Sequence, residues 1–187
     1  MEDPFVDLTG GDDQRAERSI PVIVALGETA LPRLLELTRA PDADTRWWAV
    51  RALAASPHTR TSDLIPTLSD SSPEVRAASA LALCGHPGEE AVEALVNLLG
   101  DEDALVAGLA GNALVRIGSP SVASLLKIMK EADTSVRIAA LRALAEIRDH
   151  RAIPTMMKCL GEESAVLQYW AQEGLERLGL NMVYVKP

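Results

Sequence analysis

The sequence predicts an all-α protein, a solenoid of stacked helix pairs. Three observations lead there. A period of 30 or 31 residues runs along the chain, an apolar stripe at helical spacing recurs in each half of the period, and a capping residue opens every copy at one phase. A repeat this short and regular marks stacked supersecondary units that bury their apolar faces against one another.

The first helix of each copy is defined by the register Arg46, Arg76, Ala107, Arg137 and Gln168. Seven residues on stands a leucine every time, at Leu53, Leu83, Leu114, Leu144 and Leu175. Six on is Ala52, Ala82, Ala113, Ala143 or Gly174, and three on is Ala49, Ser79, Ala110, Ala140 or Ala171. Together with Val75, Val106, Val136 and Leu167 one before, these positions share one helix face. The face is narrow and alanine-rich, suited to close approach by a neighbouring helix. Four before the register stand Asp42, Ser72, Asp103, Asp133 and Ser164, all good N-caps. Pro73 follows Ser72 where its missing N–H costs nothing.

The second helix is set by Leu31, Thr61, Val92, Val122 and Ile153. Apolar pairs follow at Leu34-Leu35, Leu64-Ile65, Leu95-Val96, Leu125-Leu126 and Met156-Met157. The combined pattern, cap-x-x-Val-Arg-x-x-Ala-x-x-Ala-Leu followed by Leu/Ile-Pro-x-Leu-Leu, resembles HEAT-like repeats of the phycobilisome (PBS) lyase type. The resemblance covers residues 12–178. It implies a right-handed α-solenoid, an alpha-alpha superhelix of about five HEAT-like helix pairs plus an unpaired terminal helix. Ankyrin and tetratricopeptide signatures do not recur.

In chain order, residues 1–11 are expected to be irregular, with a break at Gly10-Gly11. The repeat domain then spans 12–178, in copies near 12–40, 42–70, 72–100, 103–131 and 133–161, followed by a final helix at 164–178. The first copy is worn, with Pro21 predicting a kink or a late start. Pro66 predicts a short or bent second helix in the next copy. Residues 179–187 are read as a tail packing over the final helix.

Composition narrows the function. The net charge of −9 over 187 residues argues against a nucleic-acid surface, which needs a basic footprint. No apolar run is long enough to span a membrane. The acidic N-terminus lacks the apolar core of a signal peptide, so the cytoplasm is the expected location. Cys84 and Cys159 lie more than two repeats apart. With packed helices ~10 Å apart, they are out of reach of a disulfide, and both are read as buried thiols. His58, His86 and His150 all fall in links and are spread along the repeats. No phosphate loop, His-Glu-x-x-His or zinc spacing occurs. No catalytic, cofactor-binding or metal-binding residue is assigned.

Arg46, Arg76 and Arg137 recur at one phase, so they are read as a ladder with the link carboxylates Asp70, Asp101, Glu131 and Glu162. The middle copy breaks the pattern with Ala107, Gly108, Gly111 and Asn112. The expected reason is close helix contact, the other reading being a shallow docking groove. Trp47-Trp48 and Tyr169-Trp170 occupy equivalent positions in the first and last full-register copies. They are read as packing at the ends of the stack, or as anchors for a partner or a second copy. Second helices conventionally line the concave face of such stacks, which nominates Arg33, Glu36, Asp63, Asn97, Lys127 and Lys158 for partner binding. The four lysines, Lys127, Lys130, Lys158 and Lys186, all lie in the C-terminal third.

The function expected is therefore a non-enzymatic protein–protein interaction scaffold or chaperone-like module, monomeric or homodimeric, without nucleic acid or membrane. The resemblance implies an alternative: a bilin lyase subunit, or a chaperone of bilin attachment to a phycobiliprotein. In that case the activity would be of the phycobilisome-lyase type. No lyase-specific motif stands outside the repeat, so no residue is carried over from the family.

Overall fold

The computed structural model describes residues 3–180. Helices account for all the regular structure of these residues, with no strand among them. Five first helices carry the caps read from the sequence. Asp42 accepts from Thr45 N–H, Ser72 from Val75, Asp103 from Val106, Asp133 from Val136 and Ser164 from Leu167. The helices so capped are α4 (Ala43–Ala55), α6 (Pro73–Gly85), α8 (Ala104–Ile117), α10 (Thr134–Ile147) and α12 (Ala165–Arg177).

The short second helices are α3 (Leu31–Leu37), which precedes α4, and α5 (Thr61–Leu64), α7 (Val92–Asn97), α9 (Val122–Glu131) and α11 (Ile153–Cys159), which run between the capped helices. Tight 3₁₀ turns extend them, at Gly27–Ala30, Ile65–Ser69, Glu89–Ala91, Leu98–Gly100, Ser119–Ser121 and His150–Ala152. Pro66 shapes the second copy as expected: α5 lasts one turn before the 3₁₀ turn that holds the proline. Pro21 lies within α2 (Asp13–Val24), which starts on time with Asp12 as its cap.

The N-terminal expectation needs correction. Residues 1–11 are not irregular throughout, because α1 (Pro4–Leu8) forms there. Asp3 caps it and Pro4 opens it, while Phe5 and Leu8 are buried. Five residues are too few to show a helical period, so the signal was invisible to pattern reading. At the other end, α12 stops at a Schellman motif. Gly179 takes φ +81° and Leu180 N–H returns to the Leu175 carbonyl. The expected tail and Lys186 lie mostly outside the described residues.

Packing groups the chain into two units, residues 1–91 and 92–187. The division falls inside the 72–100 copy. In the first unit α4 packs on α2, α3 and α6, and α1 covers α2. In the second, α10 is the centre, packed on α8, α9 and α12. The repeated leucines Leu53, Leu83, Leu114, Leu144 and Leu175 are all fully buried, as are Ala49, Ser79, Ala110, Ala140 and Ala171. No helix among the described residues is long and apolar enough to cross a membrane. Cys159 is buried as expected, Cys84 is only half-buried, and neither is in a disulfide.

Candidate functional site

The arginine register is structural. Arg46 donates Nε and Nη2 to the two oxygens of Asp70, both at 2.7 Å, and Nη1 to the Ala40 and Pro41 carbonyls. Arg76 donates to the Asp70 and Ser71 carbonyls. Arg137 reaches the Met129 carbonyl and, at 2.5 Å, Glu162. Gln168, in the same register, donates to the Glu162 carbonyl. Arg46 thus ties the link before its own helix to the next link, and Arg137 ties the last turn of α9 to the link before α12.

Burial pushes the Asp70 carboxyl up, but the Arg46 hydrogen bond, the Ser72 N–H and the Arg46 charge outweigh it. Asp70 therefore lies below the usual carboxylate range. The Arg137 hydrogen bond likewise holds Glu162 low. Burial and the Glu162 charge push the neighbouring Cys159 thiol up.

The nominated second-helix residues divide in two. Arg33 is exposed but already paired: it donates to Asp3 at 2.6 Å, and its guanidinium lies 4.3 Å over the Phe5 ring. Asp63 is nearly buried and accepts the Arg60 N–H at the start of α5. Glu36, Asn97, Lys127 and Lys158 are exposed on α3, α7, α9 and α11. The Asp3 partner of Arg33 carries no signal in the sequence, because it lies 30 residues away in a segment without helical period.

The aromatic pairs also divide. Trp47 and Trp48 meet edge to face at 4.8 Å, Trp48 buried and Trp47 half-buried. Arg51 lies over Trp47 at 5.2 Å while donating to both oxygens of Glu17. Tyr169 and Trp170 pair edge to face at 5.2 Å, with Tyr169 59% exposed. Trp170 is half-buried, and Arg142 lies over it at 5.9 Å.

Trp170 forms part of the wall of a groove of about 460 Å³ in the second unit, on the first-helix face. Ala107, Gly108 and Gly111 of α8 line it, facing Ile138 and Ala139 of α10. Its charged lining is Asp101, Glu102, Asp133, Glu146 and Arg142. Leu105, one turn before Gly108, is 65% exposed.

This groove overturns the expectation of close helix contact at the two glycines. A Cβ added at Gly108 would meet nothing within 4 Å, and one at Gly111 only a Leu99 methyl at 3.7 Å. Gly174 is the opposite case. There a Cβ would sit 2.7 Å from Met156 Cε and 3.0 Å from Ala145 Cβ, so α12 needs a glycine to seat against its neighbours. A mid-helix glycine costs about 1 kcal/mol relative to alanine, and no packing at Gly108 offsets that cost. Gly108→Ala is accordingly expected to raise the melting temperature by about 2–4 °C, read by calorimetry. A fall would show that the open floor is packed in solution.

Two of the histidines are held apart by different contacts. His86 Nε2 contacts the Ala54 carbonyl at 3.0 Å, and His58 Nδ1 lies 3.6 Å from Glu28. Among the described residues no three His, Cys, Asp or Glu side chains are grouped to hold a metal ion.

Residues 61–131 and 122–183 match the family model for HEAT repeats. The chain is 34% identical over 103 residues to the bilin biosynthesis protein RpcF of Synechococcus sp. (strain WH8020), across 54% of this chain and 48% of that protein. It therefore spans about half the length of this curated relative. Among solved structures, an archaeal HEAT-like repeats protein from Thermococcus onnurineus NA1 superposes with a TM-score of 0.64. That match is 17% identical, over 98% of this chain and 81% of the other. The complex of CpcE and CpcF of phycocyanin lyase from Nostoc sp. PCC7120 gives 0.58 at 23% identity, over 75% of this chain and 95% of the matched chain.

Proposed function

Because the chain belongs to the HEAT-repeat family, we propose that it is a non-enzymatic binding module that holds another protein on its helix stack in the cytoplasm. The observation that carries this reading is the groove between α8 and α10. Its glycine floor weakens α8 and packs against almost nothing, while an aromatic ring stands in its wall. Sites that cost stability without a structural return are the expected mark of a functional surface. The exposed second-helix residues are rival candidates, Glu36 in the first unit and Asn97, Lys127 and Lys158 in the second.

The test is capture from cell lysate on immobilised full chain. Three forms are compared: the unaltered chain, Gly108→Phe to fill the groove, and a variant with alanine at Glu36, Asn97, Lys127 and Lys158. A protein lost only from Gly108→Phe assigns the groove. One lost only from the alanine variant moves the site to the second helices. Capture by none of the three would end the binding-module reading.

A second reading has the RpcF similarity in its favour. Under it, the chain serves bilin attachment to a phycobiliprotein as a subunit or chaperone. A change in bilin absorbance that requires this chain, on mixing with bilin, the phycobiliprotein acceptor and a lyase partner subunit, would favour it over the first.

A further inference from the structure

The groove in the second unit has a chemistry that selects its occupant. Four carboxylates and one guanidinium line it. Glu102 and Asp133 stand exposed there. The guanidinium is already engaged, Arg142 donating to Glu146 at 3.0 Å. No lysine is in the lining, and the chain as a whole carries −9.

An aromatic face attracts a cation through its quadrupole, and carboxylates hold the same cation by charge-assisted hydrogen bonds. Arg142 over Trp170 shows this ring accepting a guanidinium. The first unit repeats the chemistry independently. There Trp47 and Trp48 border a cleft of about 520 Å³ whose charged lining is Asp13, Asp44 and Glu74, with no basic residue. Arg51 again lies over Trp47.

We propose that the groove of α8, α10 and Trp170 receives a basic, partly apolar segment of a partner protein. An apolar side chain of that segment sits on the Gly108–Gly111 floor against Ile138. An arginine or lysine beside it pairs with Glu102 and Asp133. Shape comes from the missing side chains of α8 and specificity from the acidic lining, because complementary charge steers encounter and rejects acidic competitors. The inference rests on the binding-module reading and adds the chemistry of the partner.

The experiment is fluorescence anisotropy on the full chain. The probe is a labelled dodecapeptide of alternating arginine and leucine, with its glutamate–leucine counterpart as control. The basic peptide binds, and the acidic one does not. Gly108→Phe leaves the charge unchanged and is expected to weaken binding by about tenfold or more. Circular dichroism checks that the variant is folded.

Glu102→Lys with Asp133→Asn gives a second readout at exposed groups, asparagine keeping the helix cap. This pair is expected to weaken binding by roughly tenfold and to flatten its salt dependence. Equal affinity of Gly108→Phe and the unaltered chain would reduce the binding to diffuse attraction and overturn the proposal. Equal binding of the acidic peptide, or no binding of the basic one, would also overturn it. If the peptides fail while Gly108→Phe still loses a lysate protein, the binding-module reading survives and only the partner chemistry falls.

Discussion

Asp70→Ala is expected to destabilise the protein by about 3 kcal/mol, seen in urea unfolding as a lower midpoint at unchanged slope. The Arg46 and Asp70 side chains are only 11% and 9% exposed, so removing the carboxylate strands a largely buried guanidinium. The two hydrogen bonds are both 2.7 Å and bidentate, the geometry in which such pairs are strongest. Replacing both partners by apolar residues of similar size should cost less, because no charge is then left unpaired.

The pair also sets a pH dependence. The folded carboxyl lies below its unfolded value. Its contribution is therefore fully present above the unfolded value, near 4, and is lost as pH falls through the lower folded value. The gap between the unaltered chain and Asp70→Ala should accordingly narrow on acidification below about pH 4. A gap that stays constant would mean the carboxylate is not tied to Arg46 in solution.

Leu144→Ala should cost about 3–4 kcal/mol, measured the same way. Leu144 is fully buried on α10, the helix packed on α8, α9 and α12. Shortening it leaves a cavity that helices on three sides cannot all close. The control is Leu105→Ala. Leu105 is a leucine of the neighbouring repeat but largely exposed, and its loss should change stability by no more than about 0.5 kcal/mol. Similar costs at the two sites would refute the assignment of the buried stripe.

The repeat leucines and alanines were legible because periodicity is a local property. Each copy states the same face independently, and five statements at one phase leave little room for another fold. The caps were legible for the same reason, since a cap is satisfied by N–H groups two or three residues away. α1 was not legible, because five residues hold no period. The partner of Arg33 was not legible either, since the contact closes over 30 residues onto the cap of that same unpatterned helix.

The middle copy is the instructive failure. Gly108 and Gly111 were visible as departures, but a missing side chain reads the same whether a helix or open space lies opposite. Close contact is expected at Gly108, where open space stands opposite; the close approach is at Gly174.

The sequence by itself determined the all-α repeat class, the phase of every first helix and the buried stripe, because helix period and capping are written in neighbouring residues. Only the tertiary structure decided that α8 faces open space beside Trp170, that Arg33 pairs with Asp3 while Asp63 accepts the Arg60 N–H, and that Trp48 is core while Tyr169 is surface. Those facts depend on what stands across from a side chain, and a one-dimensional pattern carries the identity of each residue but not the distance to the next helix.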